Sequence, residues 1–392
     1  MWHEHEPVFA RRIKGLLRKR SKGQESWPFY HLCQEFNYDN KMPAQKFVTI
    51  DVGSAWTKGF LVNVTAENQV SIEKSARLPT SLGDIPYAAG LLLSKIGCQE
   101  ASKLFVSHLS EVEKIAREEK GDFVKEEESK DKLVNFLKLS DADPVILDGG
   151  AANLREDFVA ENIGKFLTFP ANEIGVENFL GNRAVRPHVL PKGPKELELE
   201  EAILRASFAS LLSARDKNKK VLLAVSGGII SGTPRLSRVA LLILDVLEKG
   251  MAAQVFFDRE FFLPSFGALL TRYEQLQTAS TGPWFESLGA LISLGGSCEV
   301  SLDWGYSQIQ QVETEDGEIS LIPAPVSQRI NLTFTAGSKE KKSFCVLGGS
   351  LGIILDARSK PLPLAFGQEA SRHKVAAWQR EIEKAEITKE AF

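Results

Sequence analysis

The chain has 392 residues, of which 43% are hydrophobic and 25% are charged, and this balance is typical of a folded globular protein. That length is sufficient for two or three domains with well-buried cores. The formal net charge of −3 gives no general attraction to nucleic acid or to an anionic membrane, so neither is an expected partner of the chain as a whole.

Cysteine and histidine usage favours a reduced, cytoplasmic protein. The four cysteines lie far apart and form no C-x-x-C motif, and the sequence shows no secretory signal. The histidines are isolated or close to the N-terminus, so a structural zinc site is not expected. No uninterrupted apolar run approaches the ~18 residues that a membrane span needs.

Residues 1–45 are predicted to form an extension that precedes the core. Within residues 8–20, four apolar residues recur at helical spacing among basic ones: Phe9, Ile13, Leu16 and Leu17. A basic amphipathic helix can lie on an acidic membrane surface or dock on a partner. The alternatives are a partly disordered tail and a helix that packs on its own domain.

The most informative stretch begins at residue 47. Residues 47–52 are a short, β-branched apolar run that predicts a buried strand, and a second apolar run begins at residue 60 after a polar turn. Five residues around the turn suit a phosphate and a magnesium ion: Asp51, Gly53, Ser54, Thr57 and Lys58. Glycine lets the backbone approach a ligand, the hydroxyls and the ammonium can contact phosphate, and the carboxylate can hold a divalent ion through water. The plain alternative is an ordinary hairpin with a hydroxyl-rich turn.

This hairpin resembles the first phosphate loop of the actin, sugar-kinase and Hsp70 ATPase superfamily, where Asp-x-Gly-[Ser/Thr]-x-x-[Ser/Thr]-Lys lies between two strands. It is not a P-loop, because no Gly-Lys-Ser/Thr follows and no helix opens here. Trp56 before Thr57 and Lys58 is most similar to the MutL-type accessory proteins of B12-dependent methylaspartate (glutamate) mutase. The resemblance implies that Asp51 holds Mg²⁺ and that Ser54, Thr57 and Lys58 contact the β- and γ-phosphates of ATP.

After the hairpin, residues 70–77 predict a third strand and residues 86–96 predict a helix. Charged residues dominate from 111 to 132, which is typical of a solvated helix or a surface insertion. The sequence assigns no function to this charged stretch.

A second strand ends in glycines within residues 144–153, at Asp148, Gly149 and Gly150. This stretch resembles either the second phosphate loop of the superfamily or a strand-turn-helix that precedes that loop. In the first case the glycines admit the γ-phosphate and Asp148 holds metal or orients water. Asp148 lies 97 positions after Asp51, which is shorter than the usual spacing between the loops and favours the second case.

Residues 220–229 predict a buried strand that ends in Gly227 and Gly228, and a helix follows from residue 234. In its place after the first loop, this segment resembles the adenosine-binding element of the superfamily, where glycines let the base and ribose lie against the backbone. A tightly packed turn between a strand and a helix is the alternative. Residues 258–270 match the family segment with a Leu-Pro-x-x-Gly-Ala-Leu run.

From residue 297 to 346, short strands and turns predict a small antiparallel barrel or sandwich. Residues 348–362 then read Gly-Gly-Ser-Leu-Gly-Ile-Ile-Leu-Asp-Ala-Arg-Ser-Lys-Pro-Leu, and a charged helix with Trp378 follows. This run resembles the C-terminal signature of the mutase accessory family, with Ser359 in place of the usual glycine. Asp356 and Arg358 lie two apart, which predicts a structural ion pair on one side of a strand rather than a catalytic pair.

The predicted fold class is α/β, with an actin-like (ribonuclease H-like) ATPase core followed by a small antiparallel β barrel or sandwich. The predicted divisions are a basic and aromatic extension at 1–45, a nucleotide-binding core at 46–280, a β-rich domain at 281–366 and a C-terminal helix at 367–392.

The resemblance implies a reactivating chaperone for an adenosylcobalamin-dependent mutase of the glutamate mutase type, in which Mg²⁺ and ATP drive closure of two lobes. The expected partner is a mutase subunit, and the expected chemistry is weak ATPase activity without mutase activity. The implied catalytic residues are Asp51 and Asp148, with Asp51 also the metal ligand. The implied cofactor-binding residues are Gly53, Ser54, Thr57, Lys58, Gly149, Gly150, Gly227 and Gly228.

The alternative is a non-hydrolysing actin-like scaffold, held at a membrane by the N-terminal basic helix. A small-molecule kinase is less favoured, because the sequence shows no separate substrate-binding constellation.

Overall fold

The computed structural model describes residues 44–80, 84–97, 100–138, 142–149, 159–281, 283–336 and 340–387. The predicted basic helix at 8–20 and the predicted site residue Gly150 lie outside the described residues. None of the described helices combines the length and the apolar character needed to cross a bilayer.

Sixteen strands are arranged in three sheets within the described part of the chain. The strands are β1 (Gln45–Val52), β2 (Trp56–Val64), β3 (Gln69–Pro79), β4 (Ser102–Ser107), β5 (Asp122–Lys125), β6 (Ala142–Asp148), β7 (Lys220–Ser226), β8 (Ala252–Asp258), β9 (Ser280–Thr281), β10 (Phe285–Ser293), β11 (Cys298–Asp303), β12 (Ile309–Thr314), β13 (Ile319–Ile322), β14 (Arg329–Ala336), β15 (Glu340–Leu347) and β16 (Ile353–Asp356).

The described helices surround and separate the first two sheets. They are α1 (Ile85–Ile96), α2 (Glu111–Glu118), α3 (Glu126–Leu137), α4 (Ala160–Gly164), α5 (Glu173–Val185), α6 (Pro194–Leu212), α7 (Gly228–Ser231), α8 (Leu236–Val246), α9 (Leu263–Arg272) and α10 (Glu369–Ile387). A short 3₁₀ helix at Glu274–Thr278 follows α9.

The first sheet has the order β5-β4-β1-β2-β3-β9. β1, β2 and β3 form an antiparallel meander, while β4 runs parallel to β1 and β5 runs parallel to β4. Because successive strand residues point to opposite faces, Val48 and Ile50 pack with α1 and α2, whereas Phe47 packs with α3 and α9. The position of a residue in β1 or β2 therefore decides which pair of helices it meets.

The second sheet has the order β13-β16-β10-β8-β7-β6. β6, β7 and β8 are parallel, and β10 is antiparallel to β8. Residues of α6, α8 and α10 cover one face of this sheet, and residues of β7 and β8 on the other face join the core that contains α3 and α9. The core around α3 and α9 thus contains residues of both large sheets.

The third sheet is antiparallel, with the order β12-β11-β14-β15, and it packs on β10 and β16 of the second sheet. The mixed α/β class and the additional antiparallel sheet agree with the sequence prediction. β8 and β10, which lie on either side of residues 280 and 281 in the sequence, pair with each other in the second sheet. Hydrogen bonding between these distant strands is not visible in local sequence patterns.

A buried ionic cluster joins the end of β16 to α6, α8 and α10. The Arg358 guanidinium donates to Asp356 at 2.7 Å and 2.9 Å and to Asp245 at 2.7 Å, and it lies 4.6 Å from the Trp378 ring centroid. Asp245 also accepts from Arg205 at 2.7 Å. The ion pair predicted between Asp356 and Arg358 is confirmed, and it fixes the last strand of the second sheet to the surrounding helices.

Arg358→Met is expected to destabilise the fold by about 3–5 kcal/mol, because it leaves Asp356 and Asp245 buried without their shared counter-charge. Equilibrium urea unfolding measures the change. Arg117→Met is the matched control, because Arg117 is 77% exposed and its pairing with Glu113 is a surface contact within one helix. Equal effects of the two substitutions would contradict a stabilising role for the cluster.

Candidate functional site

A cavity of about 300 Å³ lies where the ends of β1, β6 and β7 meet the starts of α3 and α9. Both large sheets contribute to its wall. The lining includes Asp51, Gly53, Ser54, Trp56, Lys58, His108, Glu126, Lys130, Asp148, Gly149, Gly228 and Phe261. We call this space the cleft cavity.

The centre of the cleft cavity is an ion pair between Asp51 and Lys58. The two residues are direct partners in the antiparallel register of β1 and β2, so their side chains lie on the same face. Lys58 Nζ is 2.5 Å from Asp51 Oδ2, and it lies 3.3 Å from the centroid of the Phe261 ring. The Lys58 side chain is 5% exposed and the Asp51 side chain is 7% exposed, so the ion pair is largely shielded from solvent.

Burial raises the pKa of Asp51 even though the Lys58 ammonium acts to lower it. Burial likewise raises the pKa of Asp148, and Lys58 and Lys130 only partly offset this effect. Two carboxylates that are costly to ionise therefore share one cavity. A bound cation would favour the ionised form of both.

The turn between β1 and β2 is closed by backbone and hydroxyl hydrogen bonds. Gly53 N donates to Trp56 O at 3.1 Å, and Thr80 Oγ1 donates to Gly53 O at 2.8 Å. The Thr57 hydroxyl lies 3.0 Å from Thr80 Oγ1, outside the cleft cavity. Thr57 alternates with Lys58 along β2, so its side chain faces the other side of the sheet from the predicted phosphate-binding ammonium. Its hydroxyl takes part in the hydrogen bonds that close the turn.

Gly149 and Gly228 line the cleft cavity, and Gly227 lies behind them. Gly149 N donates to Ser226 O at 2.8 Å. Gly227 has φ of 113°, and a side-chain carbon there would overlap the backbone of Gly149. Only glycine permits this close approach of the two strand ends, so Gly149 and Gly228, which come from two separate predicted turns, line the same cavity.

The cavity wall also contains His108, Glu126 and Lys130, to which the sequence pattern assigns no function. His108 Nδ1 lies 3.2 Å from Glu126 Oε2, and Lys130 Nζ lies 2.7 Å from Glu126 Oε1. Burial alone would raise the pKa of Glu126, but Lys130 and His108 outweigh it and hold the pKa below its usual value. The stretch around residues 111–132 is thus not a mere surface insertion, because it contains β5 and the start of α3 beside the cavity. The only sequence signal was the spacing of Glu126 and Lys130, four residues apart on a helix.

Asp258 is a further buried carboxylate that the sequence analysis missed. It ends β8 just as Asp51 and Asp148 lie at or near the ends of β1 and β6, but it does not line the cleft cavity. It accepts hydrogen bonds from Phe262 N at 2.9 Å, Leu263 N at 2.8 Å and Ser226 Oγ at 2.7 Å. These bonds hold the start of α9. Burial, only partly offset by these hydrogen bonds, raises the pKa of Asp258 to about 6.

A second cavity of about 290 Å³ adjoins the first. The two share Leu190, Gly228 and Ile229, and Arg77 contributes to the second wall only. The Arg77 guanidinium lies 5.8 Å from the Trp56 ring centroid, so an aromatic and a cationic side chain lie near the junction. An elongated ligand could extend from the cleft cavity past Gly228 into this space.

Within the described residues, no group of three or more histidine, cysteine, aspartate or glutamate side chains is arranged as a metal site. Asp51 and Asp148 are the carboxylates in the cleft cavity that suit a hard cation. Magnesium is usually bound through one or two carboxylates together with waters and substrate phosphates. The residues present therefore fit a magnesium ion that enters with a phosphate ligand, and not a cage made by protein alone.

No protein-family model matches the sequence, and no curated protein is significantly similar to it. Solved structures with similar arrangements include component A of (R)-2-hydroxyglutaryl-CoA dehydratase from Acidaminococcus fermentans, at 12% identity and a TM-score of 0.35, with 59% of this chain and 99% of that chain covered. The ethanolamine utilization protein EutJ from Carboxydothermus hydrogenoformans has 12% identity and a TM-score of 0.34, with 59% and 92% covered. An inorganic polyphosphate/ATP-glucomannokinase from Arthrobacter sp. strain KM has 12% identity and a TM-score of 0.32, with 58% and 99% covered. None of these likenesses assigns a substrate or a partner to this chain.

The raised pKa of Asp258 implies that the free energy of unfolding depends on pH. Because the folded chain binds this proton more tightly than the unfolded chain, the contribution of Asp258 is complete below about pH 4 and is lost as the pH rises through about 6. The free energy of unfolding of the wild type relative to Asp258→Asn is expected to fall between about pH 4 and about pH 7. Chemical denaturation across this range measures it, with the exposed Asp316→Asn as control. A difference independent of pH would contradict the assignment.

Proposed function

We propose that the cleft cavity binds the phosphates of ATP together with Mg²⁺, as the nucleotide site of an actin-like core. The observation that carries the proposal is the buried Asp51–Lys58 pair facing Asp148 across a cavity with glycine turns from two sheets. A phosphoryl ligand needs carboxylates that hold its metal ion, an ammonium that binds its phosphate and a backbone that it can approach closely.

The first sheet supports the actin-like part of the proposal. An antiparallel meander followed by two strands parallel to its first strand is the ribonuclease H-like arrangement that the hairpin resemblance implies. The second sheet places further carboxylate-ended parallel strands opposite it. Ligands of α/β sheets bind outside the carboxyl ends of parallel strands, which is where the cleft cavity lies.

Asp51 and Asp148 would hold the magnesium ion, directly or through water. Lys58 and Lys130 would oppose the phosphate charge, and the backbone of Gly53, Gly149 and Gly228 would allow close approach. When bound, Mg²⁺ supplies charge neutralisation at the transferred phosphoryl group. Asp148 would also orient a water molecule.

The nucleoside would extend past Gly228 into the adjoining cavity of about 290 Å³. There Trp56 and Arg77 offer a flat surface and a cation near the junction. This assignment keeps the predicted role of Gly228 as support for the nucleoside and gives Gly227 the role of holding the two strand ends together.

The proposed cellular role is that of a reactivating accessory protein for an adenosylcobalamin-dependent mutase of the glutamate mutase type. Its support is the resemblance of the hairpin around Trp56 and of the run that ends in Asp356, Arg358 and Lys360. The cleft cavity lies between the two large sheets, so a nucleotide bound there would contact both and could draw them together.

A non-hydrolysing scaffold is the second candidate, and the topology around Asp148 favours it. Asp51 lies in a hairpin, but Asp148 ends β6, which is an edge strand that pairs only with β7 among the described strands. Such a site would bind nucleotide and turn it over slowly.

Asp51→Asn is expected to weaken Mg-ATP binding by at least about tenfold, because it removes a carboxylate from the cation site. Isothermal titration calorimetry with Mg-ATP measures the affinity, and circular dichroism checks folding. Asp316→Asn, an exposed turn substitution with the same chemistry, should bind as the wild type does. Absence of Mg-ATP binding by the wild type would overturn the proposal.

Asp148→Asn is expected to slow ATP hydrolysis more than it weakens binding, because positioning of water and metal is the catalytic part of phosphoryl transfer. Steady-state phosphate release under saturating Mg-ATP measures the rate. Binding without turnover in the wild type would favour the scaffold.

For the accessory role, the wild-type chain with ATP should restore activity to a mutase that is blocked by damaged cobalamin, and the Asp51→Asn variant should not.

A further inference from the structure

A larger cavity, of about 680 Å³, lies away from the cleft cavity, between α6, the end of α8 and the segment after β16. We call it the lysine-lined cavity. Five of its lining residues are cationic: Lys165, Arg205, Lys217, Lys249 and Lys360. Two are acidic, Asp245 and Glu248, so the wall has a formal excess of three positive charges.

Part of this positive charge is already neutralised. Arg205 Nε donates to Asp245 at 2.7 Å, and Lys360 Nζ lies 3.0 Å from Asp356 Oδ2. Lys217 is paired with Glu248. The charges of these three pairs are balanced within the protein.

Lys165 and Lys249 differ, because neither forms an ion pair with any described residue. The Lys165 ammonium lies 5.4 Å from the centroid of the Phe166 ring. The stem of Lys249 packs against Gly295, where a side-chain carbon would lie 2.5 Å from Lys249 Cγ. Two cations that have no ion-pair partner among the described residues thus line one cavity, which favours an incoming anion.

The remainder of the wall is largely apolar. Phe166, Leu247 and Leu362 are among the lining residues, and the Arg205 guanidinium lies 5.2 Å from the Phe166 ring centroid. A ligand that fills this space would place a charged group at the two lysines and an apolar body against the ring. Most small-molecule sites combine an apolar wall with a few polar groups in this way.

We propose that the lysine-lined cavity binds a small organic dianion, a phosphate ester or a dicarboxylate with an apolar body. Lys165 and Lys249 bind the anionic group, and Phe166 contacts the apolar body. This site shares no lining residue with the cleft cavity, so the proposal is independent of nucleotide binding.

The test uses the full chain with phenyl phosphate and with phthalate as probes. Titration calorimetry at fixed ionic strength measures affinity for the wild type, for Lys165→Ala/Lys249→Ala and for Lys95→Ala/Lys114→Ala. The second double variant is the matched control, because it removes two exposed lysines of α1 and α2. We expect the first double variant to bind roughly tenfold more weakly or worse, and the control to bind as the wild type does.

Lysine acetylation read by mass spectrometry locates the bound probe. Protection of Lys165 and Lys249 by a probe supports the proposal, and the probe that protects at the lower concentration identifies the phosphate or the dicarboxylate as the preferred group. Protection of Lys130 instead would place the anion in the cleft cavity and overturn it. Unchanged affinity in Lys165→Ala/Lys249→Ala, or binding of neither probe by the wild type, would also overturn it.

Discussion

The register between β1 and β2 is the constraint on which the candidate site depends. It sets Asp51 opposite Lys58, and a shift of either strand by one residue would turn the charged side chain of that strand toward α1 and α2. The register is fixed by hydrophobic residues of the two strands that must reach the correct core. Ile50 and Leu61 pack on the α1 face of the sheet, while Phe60 packs on the α9 face. The charge of the cavity is therefore specified by the packing of residues that never touch it.

The second sheet completes the site through contacts that are equally indirect. Gly227 lets the ends of β6 and β7 approach, which brings Asp148 and Gly149 to the cavity. Asp258 holds the start of α9, and the segment before that helix carries Phe261, whose ring lies beside Lys58. Phe261 has φ of 60°, an unusual backbone state for a bulky residue, and the hydrogen bonds to Asp258 maintain the turn that contains it.

The sequence was sufficient to locate the hairpin, the strand ending at Asp148 and the Gly227-Gly228 turn, since each is a local pattern of apolar strand and glycine. It was insufficient for Thr57, because a hydroxyl-rich turn does not reveal which face each residue occupies. It was also insufficient for Glu126 and Lys130, which reach the cavity because α3 packs on α9. Ser129 Oγ donates to Pro264 O at 2.7 Å in this contact, and the two residues are 135 positions apart in the sequence. The spacing of Glu126 and Lys130 indicates a helical ion pair, but it does not show which distant residues that helix packs against.

The route of the chain between the sheets limits how the molecule can move. β8 belongs to the second sheet, α9 and β9 return to the first, where β9 pairs with β3, and β10 lies again in the second. Because the chain passes between the two large sheets more than once, they are not independent domains joined by a single linker. Any opening must pivot about an axis through these passages, which permits a small rocking angle and resists separation. We therefore expect the two sheets to move most at the ends farthest from these passages, while the passages themselves stay nearly fixed.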